Sequence, residues 1–325
     1  MLSAQDIKGV YGITATPAKE GADHWDASDT VDLDEAARVT EQLIKDGVGG
    51  LIVLGTTGEC ATLTDGEYKG FVDCFLSTVK KRVPTFVGTT ALGTRAIVSR
   101  IRFVQELGAD GTLLGLPMWQ PCTTEMAVKF YSTISEAAPN FAVMVYANAN
   151  AFRFTFPVPF WKLVVERAPT VIAAKYGNAG VYLPSLAVTK GKVNFLPIDA
   201  EAYAFARLSP ETTTACWATA ASMGPQPSIA LMNALTAQDW EKAKQIAADL
   251  HWASEHFMPP GGVQEFASYN IQLEKTRFNA AGYMKAGPIR PPYDVIPESY
   301  AEGARECGRR WAQLVEKYAP VVAGR

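Results

Sequence analysis

Short apolar stretches recur along the chain at Gly12–Thr16, Gly50–Leu54, Thr85–Val87, Gly111–Leu116, Val143–Tyr146, Val171–Ala174, Val193–Leu196 and Thr213–Trp217. They are continuous in hydrophobicity rather than alternating, as strands covered on both faces by helices read. Between most of them the apolar positions recur at helical spacing. Examples are Leu33–Lys45 through Leu33, Ala36, Ala37, Leu43 and Ile44, and Ala96–Leu107 through Ile97, Val98, Ile101, Val104 and Leu107. Thr64 and Glu67 form a capping-box pattern ahead of Phe71, Val72, Phe75 and Leu76, so a helix begins there and Gly55–Leu63 is a loop between strand and helix.

Strand and helix alternate through eight units, which predicts an α/β chain folded as a (β/α)8 TIM barrel. A doubly wound sheet more often stops at five or six strands. The starts of the last three strands, Val171, Val193 and Thr213, lie only 22 and 20 residues apart, so their crossover helices must be short. Further helical patterns follow at Ser228–Leu235, Asp239–Phe257, Val263–Ala281 and Glu298–Tyr318. The expected organisation is a barrel over residues 1–235 and a C-terminal helical extension over residues 236–325. Within the extension, Ala286–Tyr293 reads as a stiff, proline-rich link, and Glu20–Thr30 as a polar loop insertion.

Composition narrows the function. The chain has 325 residues, 48% of them hydrophobic and 19% charged, enough for a sizeable core. Thirty basic against thirty-three acidic residues give a formal charge of -3, which argues against nucleic acid as a partner. No apolar run approaches the roughly 18–20 residues of a membrane span, and no secretory signal is visible, so a cytoplasmic protein is expected. Five separated cysteines without a Cys-x-x-Cys pair give neither a disulfide framework nor a zinc knuckle. The only histidines, His24, His251 and His256, share no helical face, so no metal site is expected. Neither a dinucleotide fingerprint nor a Walker loop occurs, which disfavours nicotinamide and ATP chemistry.

In a barrel of this kind the chemistry sits where strands end. Val171–Ala174 ends in Lys175, whose amine, if buried, would be freed as a nucleophile toward a carbonyl. Position alone leaves open a lysine that simply reaches solvent. Val143–Val145 ends in Tyr146, one strand away, where a phenol can relay protons or merely line the rim. Strand two runs into Gly55-Thr56-Thr57-Gly58-Glu59. There, glycines admit close approach, and hydroxyls with backbone amides can hold a carboxylate, which suits a 2-oxo acid. Glu59 reads equally as a buried clamp of that loop. After strand four, Pro117-Met118-Trp119 offers an apolar wall that could stack on an aromatic substrate or pack in the core.

These motifs, in this order and spacing, resemble the dihydrodipicolinate synthase and N-acetylneuraminate lyase superfamily of pyruvate-dependent class I aldolases, over nearly the whole chain. The resemblance implies that Lys175 forms an imine with the substrate, that Tyr146 shuttles protons, and that Thr56, Thr57 and Gly58 receive the carboxylate, with no metal or organic cofactor. It also implies a homotetramer. The chain departs from the synthases themselves. Their Pro-Tyr-Tyr turn is Pro117-Met118-Trp119 here, and their second-substrate arginine is replaced by Ala151, with Arg153 nearby. Lysine biosynthesis is therefore disfavoured.

Gly58-Glu59-Cys60-Ala61-Thr62-Leu63, Tyr146-Ala147-Asn148, Ala174-Lys175-Tyr176 and Lys285-Ala286-Gly287-Pro288 look closer to the hydratase-aldolases of aromatic hydrocarbon breakdown. That subgroup implies Asn270 beside the hydrated carbon, and Asn148 and Trp119 along the aromatic half of the pocket. The expected reaction is cleavage of an ortho-substituted trans-benzalpyruvate to an aromatic aldehyde and pyruvate. Thr57 and Arg153 tilt the expected ortho group toward carboxylate, with trans-o-hydroxybenzylidenepyruvate as the alternative. A sugar-acid lyase or dehydratase is a further alternative, and a non-catalytic keto-acid-binding barrel a remote one.

Overall fold

A computed structural model describes residues 1–323, with side chains to residue 319. Eight parallel strands run β1 Gly9–Ile13, β2 Gly50–Val53, β3 Thr85–Gly88, β4 Gly111–Leu114, β5 Ala142–Tyr146, β6 Val171–Lys175, β7 Asn194–Leu196 and β8 Ala215–Ala218. From β1 to β7 each strand pairs with the next in chain order, and β8 pairs with β1. The remaining seam between β7 and β8 is closed by a parallel bridge from Ile198 to Trp217, with Trp217 N–H donating to the Pro197 carbonyl at 2.9 Å. The result is a (β/α)8 barrel. Its strands are buried nearly end to end, which is why they lack alternation in sequence.

Outside the strands lie α1 Leu33–Lys45, α2 Asp65–Val79, α3 Thr94–Glu106, α4 Thr124–Ala137, the single turn α5 Ala149–Phe152, α6 Val158–Arg167, α7 Tyr182–Thr189, α8 Ala202–Leu208 and α9 Gln226–Thr236. Helix α1 starts where the Asp32 carboxylate accepts the Glu35 N–H, and it turns Ala36, Val39 and Leu43 inward. Helix α2 starts on the Thr64/Glu67 capping box and stops at Lys80 in a left-handed conformation. The crossovers α7 and α8 are short, as the close strand spacing requires.

The chain continues through α10 Trp240–Ser254, α11 Gly262–Ser268, α12 Asn270–Ala281 and α13 Glu298–Ala323. Here the structure corrects the sequence reading, because Val263–Ala281 is two helices rather than one. The break falls at Tyr269, where φ is -124° and ψ 20°. Tyr269 packs edge-on against Tyr300 of α13, and Phe266 against Phe257, so tertiary contacts override a helical pattern that runs through the joint. The break makes Asn270 the first residue of α12. Strand one also differs: Gly9–Ile13 pairs, not Gly12–Thr16, because the apolar run extends on both sides of Gly12 and the partners on β2 and β8 choose the register. No helix among the described residues is long and apolar enough to cross a membrane.

Candidate active site

Tyr146 and Lys175 are the last residues of adjacent strands and sit directly opposite each other in the β5–β6 register. Paired positions of parallel strands project to the same face, so both side chains enter the barrel mouth. The Lys175 Nζ lies 4.5 Å from the centre of the Tyr146 ring and 3.5 Å from that of Trp217. Trp217 belongs to β8, and its indole N–H donates to the Tyr176 carbonyl at 3.2 Å. Clasped between two rings, the amine loses water. This burial lowers its pKa from that of a free lysine, against the opposing influence of the Tyr146 oxygen and the Glu274 carboxylate. Aromatic faces favour the ammonium, but desolvation prevails, so neutral amine is available at a lower pH than on a solvated lysine.

The loop after β2 approaches from the other side. It is bracketed by Leu54 and Glu59, both in left-handed backbone at φ 60° and 54°. Such strain, about 1–3 kcal/mol per residue, persists only where the surroundings enforce it. A Cβ on Gly58 would sit 2.6 Å from the Leu54 backbone nitrogen, so only glycine closes this turn. The Thr16 hydroxyl donates to the Gly58 carbonyl at 2.7 Å and pins it further. In this conformation the Thr56 Oγ1 is 3.1 Å from the Tyr146 hydroxyl, and the Thr57 hydroxyl faces the Asn270 Oδ1 at 3.4 Å. The Asn148 side-chain amide donates to the Tyr146 hydroxyl at 3.4 Å, while its Oδ1 caps α5 by accepting the Ala151 N–H. The phenol thus has a donor on one side and a hydroxyl on the other, the arrangement a proton relay needs.

Glu59 is fully buried under the loop, where its carboxylate receives three donors. The Lys275 Nζ is 2.8 Å away, the Arg290 Nη1 2.6 Å, and the Arg290 backbone N–H 3.0 Å. Burial pushes the Lys275 amine down to about 8, with Glu59 opposing the shift. Sequence reasoning weighed Glu59 as a loop clamp. It had no signal for the two cations, whose separation from Glu59 exceeds two hundred residues.

Beside Tyr146 and Thr56 lies a cavity of about 200 Å³. Thr56, Tyr146 and Asn270 form part of its polar lining; Met118, Phe152 and Ile271 are among its apolar walls. Phe152 reaches the wall because Gly115 has no side chain, since a Cβ there would fall 1.9 Å from the phenyl ring.

Of the expected residues, Tyr146, Thr56 and Asn270 line the cavity, Lys175 and Thr57 stand against Tyr146 and Asn270, Gly58 shapes the loop, and Asn148 lies on the Tyr146 hydroxyl rather than along the aromatic half. Trp119 does not join them: it is 79% exposed, and its neighbour Met118 faces the cavity instead. Arg153 is exposed as well, with its guanidinium donating to the Met118 carbonyl at 2.5 Å. Trp217 was missed in the sequence although it ends the apolar run Thr213–Trp217, much as Lys175 follows its own run. Also missed was the buried pair Glu274–Arg277, joined at 2.7 Å and anchored where Arg277 donates to the Thr219 hydroxyl just past β8. Among the described residues no cluster of three or more His, Cys, Asp and Glu side chains could hold a metal ion.

Comparison with known proteins follows the same lines. Residues 22–157 match the dihydrodipicolinate synthetase family. A trans-O-hydroxybenzylidenepyruvate hydratase-aldolase of Pseudomonas aeruginosa is 44% identical over 98% of this chain and 96% of its own length. A trans-2'-carboxybenzalpyruvate hydratase-aldolase of a Nocardioides strain is 37% identical over 99% of this chain and 98% of its own. Among solved structures, PhdJ bound to a substrate intermediate superposes with a TM-score of 0.95 at 40% identity, covering 98% of this chain and 99% of that one.

Proposed function

The chain belongs to the dihydrodipicolinate synthetase family, and on that premise we propose that it is a Schiff-base-forming hydratase-aldolase, a carbon–carbon lyase that cleaves an ortho-substituted trans-benzalpyruvate to an aromatic aldehyde and pyruvate. The observation that carries this reading is the desolvated Lys175 amine against the ring of Tyr146, whose hydroxyl meets Thr56 and which, with Thr56, lines a cavity walled by Met118, Phe152 and Ile271.

The neutral amine attacks the substrate ketone, and loss of water gives an iminium conjugated with the carbon–carbon double bond. That iminium draws electrons from the double bond, so water adds at the benzylic carbon and a proton at the carbon next to the iminium. Asn270 orients the water. Deprotonation of the new hydroxyl breaks the bond between the two carbons, releasing the aldehyde and leaving a pyruvate enamine. Protonation and hydrolysis of the enamine return pyruvate and free Lys175. Tyr146, between Thr56 and Asn148, moves protons through these steps. Thr56, Thr57 and the amides of their loop hold the carboxylate and so align the carbonyl with the amine, a positioning effect worth several kcal/mol.

The ortho group is hydroxyl in our reading. The expected carboxylate relied on Thr57 together with Arg153, and Arg153 is exposed, donates to the Met118 carbonyl and is not among the residues lining the cavity. The polar side chains of the outer wall, among them Cys60, Thr90, Ser268 and Tyr293, are uncharged. The Cys60 thiol is pushed up to about 11 by burial and stays neutral. A carboxylate there would lack a cationic partner, at a cost of about 1–3 kcal/mol. The specificity constant for trans-o-hydroxybenzylidenepyruvate is thus expected to exceed that for trans-2'-carboxybenzalpyruvate by about tenfold or more; the reverse order would restore the carboxylate reading.

A sugar-acid lyase would need hydroxyl partners where Met118, Phe152 and Ile271 stand. A non-catalytic keto-acid binder would take up pyruvate yet leave benzalpyruvate intact. Loss of the conjugated absorbance of benzalpyruvate, with stoichiometric appearance of aldehyde, tests the proposal; unchanged absorbance overturns it. The homotetramer is likewise a proposal, checked by light scattering.

A further inference from the structure

Asn270 and the Thr56–Thr57 hydroxyls come from different parts of the chain. The hydroxyls stand on the loop after β2, and Asn270 on the first turn of α12, in the C-terminal extension. A benzalpyruvate carries its carboxylate at one end of the reacting system and its hydrated carbon at the other. The separation between loop and helix must therefore match the substrate. The direct contact between them, Thr57 Oγ1 to Asn270 Oδ1, is long at 3.4 Å and too weak to hold that separation.

A stronger tie lies just beneath. Glu59 ends the carboxylate-binding loop, and Lys275 stands five residues beyond Asn270 on the same helix; their 2.8 Å ion pair is wholly excluded from solvent. The Lys275 ammonium also donates to the Pro288 carbonyl at 2.5 Å, and Arg290, two residues on, donates to the same Glu59 carboxylate from both its backbone and its side chain. Loop, helix and the link after the helix thus meet at one carboxylate.

We propose that Lys275 is a positioning residue for the hydration step: through Glu59 it sets the distance between the carboxylate-holding loop and Asn270, without touching the substrate. The proposal rests on the hydratase-aldolase reading above.

The loop has holds independent of Lys275, namely Arg290 on Glu59 and Thr16 on Gly58. Helix α12 has its own as well, in Arg277 on Thr219 and Gln272 on the Val295 carbonyl, so removing the lysine amine unties loop and helix from each other without releasing either from the barrel. In Lys275→Met, imine formation with pyruvate and exchange of the pyruvate methyl protons for deuterium, which need Lys175, Tyr146 and the loop but not Asn270, are expected to stay within about threefold of wild type. Cleavage of benzalpyruvate is expected to fall by about a hundredfold, the effect of displacing a reacting group by roughly an ångström.

A double-mutant cycle with Asn270→Ala completes the test. If Lys275 acts through Asn270, the double variant is no slower than N270A alone; multiplied losses overturn the proposal. Parallel loss of exchange and cleavage in Lys275→Met also overturns it. Should that variant not fold, Lys275→Gln, which leaves the Arg290 hold on Glu59 in place, is judged by the same two readouts and the same cycle. A wild-type protein that exchanges pyruvate protons but makes no aldehyde refutes the hydratase-aldolase reading itself, an outcome distinct from either failure of the lock.

Discussion

The two ends of the site are built differently. Its deep end rests on strand termini: Tyr146 ends β5 opposite Lys175 on β6, Trp217 stands on β8, and Gly55–Glu59 follows β2 after Leu54. Its outer end is made by loops and by the extension, with Met118 after β4, Phe152 in a one-turn helix, Ile271 on α12 and Tyr293 in the proline-rich link. Hydrogen-bonded strands fix atoms within tenths of an ångström, and bond-making demands that precision. Loops can change without disturbing the barrel, and they suit the part that selects an aromatic group. On the proposed reading the deep end performs a reaction shared across a family, and the outer end decides on what.

Substitutions should separate the two ends. The largest effect is expected from Lys175→Met, which removes the nucleophile and should leave no cleavage above background; measurable turnover would detach the chemistry from the deep end. Tyr146→Phe should lower the cleavage rate by about 10²–10⁴-fold while pyruvate still binds, as loss of a positioned proton donor does. An outer-end change, Met118→Ala, should raise KM for the aromatic substrate about fivefold, since a half-buried side chain contributes only part of the roughly 1.5–3 kcal/mol of full burial, and leave pyruvate imine formation unchanged. Equal effects on both readouts would erase the distinction. Trp119→Ala should alter either by less than twofold, since a side chain 79% exposed contributes little.

The pH profile sharpens the same contrast. In the proposed mechanism the reactive form of Lys175 is the neutral amine, and burial holds its pKa below the 10.5 of a free lysine. Cleavage is therefore expected to fall as pH drops through that lowered value, and to level off at a pH below 10.5. Trp217→Ala, which opens the amine to water, should move this limb to higher pH. Met118→Ala should leave it in place.

Legibility in the sequence follows the same division. Val171–Ala174 closing in Lys175, and Val143–Val145 closing in Tyr146, could be read because a buried parallel strand is a continuous apolar run and its end is visible. Helix α1 was legible to its end residues for a similar local reason, an aspartate cap and one apolar face. Contacts between distant segments were not legible. Lys275 and Arg290 look like ordinary surface cations until the fold brings them to Glu59, and the break at Tyr269 arises from packing against α13. Trp119 misled because apolar character does not give direction. A tryptophan beside a barrel mouth can face in or out, and here Met118 takes the inward position.

The central claim is that the Lys175 amine is the nucleophile of the deep end. Borohydride reduction in the presence of pyruvate, followed by peptide mass mapping, tests it directly. A single reduced pyruvyl adduct on the peptide containing Lys175, absent from Lys175→Met, is the expected result. An adduct on another lysine, or none while aldehyde is still formed, would contradict it.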